Sequence, residues 1–357
     1  MTGEPIRSRK ADHINICLNE RIAPDHCYWD DVRLIHNAMP EIDLDDIDTS
    51  CTVLGKKLEF PLIITAITGG FPEAKKINAN IAEACAELGI GMGLGSERAG
   101  VTGVDPDSYS VVKDYDVPLL IGNVGAPQLV KQKSKDIFSD DMVGQARDLI
   151  DADYMAIHLN FLQEVIQPEG DTNGAGIRDR IRDLARKYPL IVKETGAGID
   201  RFTAQRLGGI GINAIDVAGM GGTSFSAVEM YRAEQAEDDI HTEMGTTFFE
   251  WGLPAPVALQ EAKASKLPLI ASGGMLDGTH IASAISMGAC SGGMARAVLR
   301  EATESADAVK NKLKLIKEEL RAAMLLTGCP DINALSKARH IVLGDTADWM
   351  RAIKESE

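Results

Sequence analysis

The stretch PLIVKETGAG (residues 189–198) begins with aliphatic residues and ends in charged and small ones. Similar runs recur after residue 55, each followed by a segment with helical spacing. Buried strands of parallel sheets are typically rich in Ile, Val and Leu, and a helix behind each strand returns the chain to the same end. Eight runs share this pattern: FPLIITAITGG (60–70), GIGMGLGSER (89–98), VPLLIGNVGA (117–126), YMAIHLN (154–160), PLIVKETGAG (189–198), AIDVAGMGGT (214–223), PLIASGGM (268–275) and GACSGGMAR (288–296).

Eight strand and helix units in series predict an α/β protein with a (β/α)8 TIM barrel. The helical spacing is clear near the end of the chain, where Leu313, Ile316, Leu320 and Ala323 share one face. No Pro- or Ser-rich linker divides the series, so a single domain is expected. We predict an N-terminal arm over residues 1–55, the barrel over 56–357, and a long loop after strand six over 225–255.

Composition and charge narrow the class of protein. A net charge of −16 disfavours a nucleic-acid partner, because phosphate backbones require clustered Lys and Arg. No apolar run reaches the roughly 18 residues of a membrane span. The six cysteines form no CxxC pair, which favours reduced thiols in a cytoplasmic protein. The acidic run EIDLDDIDT (41–49) is expected to be a solvated turn or a short edge strand.

Polar residues collect where the predicted strands end. In barrels, residues at the carboxyl ends of strands build the active site. Alternation along a strand should send Ser96 and Arg98 to one side and Glu97 to the other. The same argument pairs His158 with Asn160. The candidates from this pattern are Thr68, Ser96, Arg98, Asn123, His158, Asn160, Lys193, Thr223, Gly273 and Gly274.

Two glycine-rich stretches indicate a phosphate site. ASGGM (271–275) and GGMAR (292–296) follow strands seven and eight, where many barrels bind phosphate on backbone amides. Arg296 adds a fork of donors for the same anion. The glycines of GMGGTS (219–224) also fit an ordinary turn.

Lys193 interrupts an aliphatic strand, where an unpaired ammonium group is costly. Two interpretations stand. The cation lies beside an electron-rich ligand such as a flavin, whose reduced anion it stabilises, or it pairs with a carboxylate of a neighbouring strand.

An ordered series of motifs, from about residue 7 to 345, resembles the type 2 isopentenyl diphosphate isomerases. No single motif is decisive, whereas the series is highly specific. Its members are RKADH (9–13), AITGG (66–70), GSER (95–98), GN (122–123), HLNFLQE (158–164), VKETGAG (192–198), VAGMGGTS (217–224), FFEWGLP (248–254), ASGGM (271–275) and LLTGC (325–329).

The resemblance implies an isomerase of isoprenoid biosynthesis that interconverts isopentenyl and dimethylallyl diphosphates. It implies FMN, reduced by NADPH or NADH, together with Mg²⁺ bound by Glu164, and a homotetramer or homooctamer. Implied FMN contacts are Ala66, Ile67, Thr68, Ser96, Asn123, Lys193, Thr223, Gly273, Gly274, Ala295 and Arg296. Implied substrate contacts are Arg9, Lys10, His13, Ser96, Arg98, His158, Asn160 and Gln163.

The implied reaction is a 1,3 proton shift, which needs an acid on one side of the alkene and a base on the other. Gln163 is too weak an acid for this, so we expect reduced FMN to act as acid and base while Gln163 orients or relays. Arg9, Lys10 and Arg98 with Mg²⁺ would neutralise the diphosphate, and His13 and His158 would donate further hydrogen bonds. Without the resemblance, the basic residues near the N-terminus would be interpreted as a solvated tail.

Four positions depart from the family pattern, where methionine, glutamine, tryptophan and proline are common. Glu97 is the electrostatically important one, since a carboxylate near a diphosphate repels it. Alternation aims it away, so we expect little effect. The four are Ile67 in place of methionine, Glu97 in place of glutamine, Phe225 in place of tryptophan and Ala297 in place of proline.

Other functions of the same fold leave specific marks. A hydroxy-acid oxidase requires a histidine after strand six, and a nucleotide dehydrogenase requires a loop cysteine; GMGGTSF (219–225) contains neither. An FMN- or phosphate-binding sensor without turnover remains an alternative.

Overall fold

The computed structural model describes residues 4–133 and 136–356 and is built around a closed barrel of eight parallel strands. The barrel confirms the predicted (β/α)8 architecture. The strands of the described residues are β1 Val32–Leu34, β2 Cys51–Val53, β3 Lys56–Leu58, β4 Leu62–Ile64, β5 Gly91–Gly93, β6 Leu119–Gly125, β7 Tyr154–Leu159, β8 Leu190–Glu194, β9 Ala214–Asp216, β10 Leu269–Ser272, β11 Ser291–Met294 and β12 His340–Val342. Strands β4 to β11 form the barrel in chain order, with β11 paired to β4.

Helices surround the barrel. In chain order they are α1 Glu4–Asn19, α2 Pro72–Leu88, α3 Arg98–Val101, α4 Asp107–Ser110, α5 Asp140–Ile150, α6 Phe161–Ile166, α7 Ile177–Ala185, α8 Arg201–Gly208, α9 Phe225–Gln235, α10 Asp239–Thr247, α11 Ala255–Ala262, α12 Gly278–Ser286, α13 Arg296–Glu304, α14 Ala306–Thr327, α15 Ile332–Leu335 and α16 Gly344–Ser356. Within the described residues, none of these helices is long and apolar enough to cross a membrane.

Local sequence signals set several helix boundaries. Asp200 and Ser305 accept hydrogen bonds from backbone amides in the first turns of α8 and α14, as N-cap residues do. Helix α2 begins with Pro72 and is followed by the C-cap residue Gly89, which adopts the left-handed conformation with φ 65°. The apolar face predicted for α14 is buried, and the helix packs against α2, α12 and α13.

The aliphatic residues form two packed layers. One layer fills the barrel interior, and the other lies between the strands and the helices. Short branched side chains fit the narrow interior of an eight-stranded barrel. The interior layer contains Val53, Leu58, Ile63, Leu119, Ile121, Ala156, Ile191, Ala214 and Ile270.

The β2–β3 hairpin closes the amino-terminal end of the barrel. Its residues Val53 and Leu58 are buried in the interior layer, and Tyr154 donates a 3.0 Å hydrogen bond to the carbonyl of Leu54. The predicted boundary between residues 55 and 56 falls in the turn of this hairpin. The hairpin fills the amino-terminal end of the barrel, so an open cavity can form only at the carboxyl end.

Segments distant in sequence meet beside the barrel. Strand β1 pairs antiparallel with β12, and Asp31 accepts hydrogen bonds from the backbone amide and hydroxyl of Thr346 in α16. The acidic run 41–49 is largely exposed, and it contains a 3-10 helix at Leu44–Asp46 and a single bridge from Asp48 to Asp331.

The long loop predicted over residues 225–255 does follow β9, the sixth barrel strand, and helices α9 and α10 occupy most of it. Ser224 caps α9 by accepting from the amide of Ala227. Apolar residues of α9, including Val228, pack with Ile16 of α1 and Ile22. The serine cap and these contacts with the N-terminal segment make this region a helical hairpin.

Candidate active site

A cavity of about 290 Å³ opens at the carboxyl ends of the barrel strands. Loops after all eight barrel strands contribute to its wall, and α1 supplies a further side. Every residue predicted to contact substrate, FMN or magnesium lies in this wall, although the role of each stays a prediction. They are Arg9, Lys10, His13, Ala66, Ile67, Thr68, Ser96, Arg98, Asn123, His158, Asn160, Gln163, Glu164, Lys193, Thr223, Gly273, Gly274, Ala295 and Arg296.

A glycine loop after β10 forms one end of the cavity. Gly273 and Gly274 have positive φ angles of 98° and 78°. A Cβ atom at Gly273 would lie 2.0 Å from the carbonyl oxygen of Gly219, so a side chain there would force the backbone to move. Arg296, the first residue of α13, lines the same cavity and forms no ion pair with any described residue. Bare backbone beside a helix start and an available guanidinium suits a phosphate.

The glycine loop rests on residues from the N-terminal segment. The buried Trp29 donates a 2.8 Å hydrogen bond from Nε1 to the carbonyl of Gly273, and Cys27 Sγ lies 3.8 Å from the carbonyl of Gly274. No sequence motif pointed to this support, because the contacts join residues about 250 positions apart in the chain.

Trp29→Phe is expected to weaken FMN binding about tenfold, because it removes the donor to Gly273 while keeping an aromatic ring in the core. Titration of the apoprotein with FMN, followed by flavin fluorescence, measures the affinity. Trp349→Phe, on the partly exposed face of α16, is the matched control. Unchanged affinity in Trp29→Phe would show that this bond does not position the loop.

Close to this loop, Cys27, Asp30 and His280 place possible metal ligands within 4.8 Å of one another. His280 Nδ1 accepts a hydrogen bond from the amide of Leu276, so Nε2 carries the proton and donates to Asp30 Oδ1 at 3.1 Å. A metal on Nε2 would require a proton on Nδ1, facing the Leu276 amide. The cluster therefore supports the loop through hydrogen bonds.

Lys193 lies on β8 in register with His158 of β7 and Asp216 of β9. Its buried ammonium donates a 2.9 Å hydrogen bond to the carbonyl of Glu194 and forms no ion pair with any described residue. Asp216 instead accepts from the hydroxyl of Ser272. Among the described residues, the geometry thus favours the interpretation in which the Lys193 cation serves a ligand in the cavity.

His158 is held as a neutral imidazole. Burial, with the nearby charges of Lys193 and Lys10, lowers the pKa of His158 to about 3. Its Nδ1 lies 2.8 Å from Asn123 Oδ1, so Nδ1 carries the proton and donates it. Nε2 is then an acceptor, and His158 can donate to a diphosphate only after taking up a proton, which a bound anion favours.

Cationic side chains gather on the side of the cavity formed by α1 and α3. Helical spacing puts Arg9, Lys10 and His13 of α1 in this wall together with Arg98. Lys10 donates to the carbonyl of Ser96 at 2.9 Å and to the hydroxyl of Tyr109 at 2.7 Å. Burial, followed by the charge of Arg9, lowers the pKa of Lys10 to about 7. This concentration of positive charge suits a polyanion.

Gln163 is anchored by a buried carboxylate that the sequence did not identify. Its Nε2 donates a 2.8 Å hydrogen bond to Glu229 Oε1 on α9, and His13 Nε2 lies 3.0 Å from the same oxygen. Burial opposes ionisation of Glu229, but His13, Arg232 and Gln163 outweigh it and lower its pKa to about 2. A glutamate among the apolar residues of FSAVEMYRAEQ (225–235) was the available signal.

Glu164 forms a second polar cluster with two residues absent from the predicted set. The backbone amide of Asp171 donates to Glu164 Oε2 at 2.6 Å, and Asn160 Nδ2 donates to Oε1 at 3.1 Å. Gln128 Nε2 lies 3.3 Å from both carboxylates, and Arg98 pairs with Asp171 at 3.4 Å. Two carboxylates with adjacent amides fit the oxygen ligands that Mg²⁺ prefers.

Strand alternation across residues 96–98 is wrong as a description of the backbone. Strand β5 ends at Gly93, and Arg98 begins α3. Ser96 and Arg98 nevertheless both line the cavity, whereas Glu97 is fully buried behind it. A close approach of Gly95 to the backbone of Thr68 turns the chain there.

Comparisons with known proteins fit this geometry. The chain is 43% identical over 350 residues to the isopentenyl-diphosphate delta-isomerase of Picrophilus torridus, covering 98% of this chain and 100% of that protein. It is 44% identical over 348 residues to the isopentenyl-diphosphate delta-isomerase of Thermoplasma acidophilum, covering 97% and 99%. Residues 179–342 match the model of the FMN-dependent dehydrogenase family.

Solved structures share the fold at low identity. An (S)-mandelate dehydrogenase superposes with a TM-score of 0.65 at 15% identity, covering 96% of this chain and 99% of that chain. A Pediococcus acidilactici lactate oxidase gives 0.66 at 13% identity, covering 96% and 94%. These likenesses concern the barrel, whereas the relatives at 43–44% identity match over nearly the full chain. The chain therefore belongs to the isopentenyl-diphosphate delta-isomerase family.

Proposed function

We propose that the protein interconverts isopentenyl and dimethylallyl diphosphates, using reduced FMN and Mg²⁺, with NADPH or NADH as the reductant of the flavin. One observation supports this most strongly: a single cavity joins a glycine loop and the buried Lys193 to a wall of cations. The first part suits a flavin phosphate and ring, and the second suits a diphosphate. The names of the relatives point to the same reaction.

The residues of the cavity fit both FMN and Mg²⁺. Lys193 and the Gly273 backbone would hold FMN, which in its reduced form supplies the acid and base chemistry of the proton shift. Glu164, with Asp171 beside it, would hold Mg²⁺, which neutralises charge on the diphosphate. Arg9, Lys10 and Arg98 would bind the remaining phosphate charge.

The hydrocarbon part of the substrate must then lie near Gln163. The bond to the ionised Glu229 uses one amide proton of Gln163 and fixes its orientation. Asn160 Nδ2 lies 3.3 Å from Gln163 Oε1, so both ends of the amide are held. A neutral amide held in this way orients a substrate or relays a proton without acting as the strong acid.

Gln163→Ala is expected to lower turnover about tenfold to a hundredfold, since it removes a hydrogen-bonding group anchored to a charge. The measurement is kcat of the FMN-reconstituted, reduced enzyme with saturating isopentenyl diphosphate. Gln235→Ala, at the exposed end of α9, is the control. Full turnover in Gln163→Ala would remove this side chain from the mechanism.

One assay tests the proposed function directly. The protein is incubated anaerobically with isopentenyl diphosphate, Mg²⁺, FMN and NADPH, and dimethylallyl diphosphate is measured. Product that depends on each component supports the isomerase. Bound flavin without product would identify a sensor and end the proposal.

A further inference from the structure

Glu97 is a buried acidic group that the proposed reaction does not use. It lies between Ser96 and Arg98, which both line the cavity, yet its own side chain is fully buried. Its Oε2 accepts a 3.3 Å hydrogen bond from the backbone amide of Asn123, and its own amide donates to the Asn123 carbonyl at 2.9 Å. Glu97 thus joins the cationic wall to the strand that carries Asn123.

The surroundings of Glu97 are those of an uncharged acid. Oε1 is buried without a hydrogen-bond partner among the described residues, and Oε2 has one long bond. The buried carboxylate of Glu194, in contrast, accepts hydrogen bonds from the backbone amides of Thr195, Gly196 and Ala197. An ionised carboxylate with so few donors would be costly.

Neighbouring titratable groups do not compensate for a negative charge. Among the described residues, those that act on Glu97 are Lys10 of α1 and Tyr109 of α4. Lys10 directs its ammonium to the Ser96 carbonyl and the Tyr109 hydroxyl, and forms no ion pair with Glu97. Burial raises the pKa of Glu97 well above its usual value, although Asn123 and Lys10 oppose that shift.

We propose that Glu97 is a positioning residue that works as an uncharged carboxylic acid: Oε2 holds the Asn123 segment, and the absence of charge keeps the cationic wall attractive to a diphosphate. The first role acts through Asn123, whose side-chain Oδ1 accepts a hydrogen bond from Nδ1 of His158. The second rests on the proposed function. An ionised carboxylate at this buried position would reduce the positive electrostatic potential that Lys10 and Arg98 create in the cavity, because little water is present to screen its charge.

Glu97→Gln tests the charge state, because glutamine keeps the shape and an acceptor oxygen without a titratable proton. At neutral pH, the infrared spectrum of wild type minus Glu97→Gln is expected to contain a carboxylic-acid carbonyl band. Wild type should also lose stability relative to Glu97→Gln as pH rises from about 5 to 8, since a carboxyl whose folded pKa is raised destabilises the fold above its unfolded pKa. Glu234→Gln, exposed on α9, should show neither effect.

Kinetics test the positioning role. Glu97→Ala removes the acceptor for the Asn123 amide and is expected to raise KM for isopentenyl diphosphate, whereas Glu97→Gln should restore KM and kcat at neutral pH. A carboxylate band in the difference spectrum, or a large KM increase in Glu97→Gln, would overturn the proposal. The infrared and thermal measurements need no turnover, so an inactive wild type would refute the isomerase function separately.

Discussion

Glu164→Gln is expected to lower isomerase turnover about 100-fold or more and to raise the Mg²⁺ concentration needed for half-maximal activity. The expected effect is large because replacing even a residue that only hydrogen-bonds to a metal ligand typically lowers metal affinity or activity about 10- to 100-fold. The substitution removes the charge that we propose binds the metal. It also sets an amide nitrogen or a less basic oxygen against the Asp171 amide, which now donates to Glu164 Oε2 at 2.6 Å. The measurement is kcat as a function of Mg²⁺ concentration.

Glu243→Gln is the matched control for that experiment, because Glu243 is an exposed glutamate of α10. Thermal melting of both variants separates a folding defect from a metal defect. A Glu164→Gln enzyme with wild-type turnover and an unchanged Mg²⁺ requirement would contradict the assignment, and Asp171 would become the next residue to test.

Lys193→Met is expected to weaken FMN binding about tenfold to a hundredfold, the usual range for a hydrogen bond to a charged group. Methionine has a similar length and an apolar end, so it removes the ammonium group and leaves the strand packing largely intact. The loss should be greater for reduced than for oxidised FMN, because a cation stabilises the reduced anion. Flavin titration in both redox states measures the two affinities.

Lys310→Met is the control, since Lys310 is another largely buried lysine but pairs with Glu83, Glu87 and Asp307 away from the cavity. It should lower the melting temperature and leave FMN affinity unchanged. Equal affinities of Lys193→Met for oxidised and reduced FMN would contradict a role of Lys193 at the flavin ring.

The barrel was predictable because each strand is a local aliphatic run with a helix behind it. The site residues implied by the resemblance in ordered motifs all lie in the wall of one cavity. The insertion over residues 225–255 was predicted after the sixth barrel strand, but its two helices, α9 and α10, were not. Ser224 as an N-cap and the apolar residues of α9 were visible signals for a helix there.

The residues that were missed act across long sequence separations. Glu229 reaches Gln163 across 66 positions from another helix, and Gln128 reaches Glu164 across 36. Trp29 meets Gly273 across 244 positions. Spacing along a chain carries no information on such contacts, since they depend on how the elements pack. Glu97 was correctly aimed away from the cavity, but its burial required the turn after Gly95.

The pairing of β1 with β12 holds two segments that are far apart in sequence together through backbone hydrogen bonds. Val32 pairs with Val342. The β1–β12 pairing, called the seam below, therefore joins a segment that precedes all eight barrel strands to one that follows them. Loop-closure entropy makes such distant contacts slow to form before the intervening structure is compact. Trp29, which supports the glycine loop, stands next to the seam, and Asp31 is tied to Thr346. The shape of the cavity at the glycine loop consequently depends on contacts between the segments before and after the barrel as well as on the barrel itself.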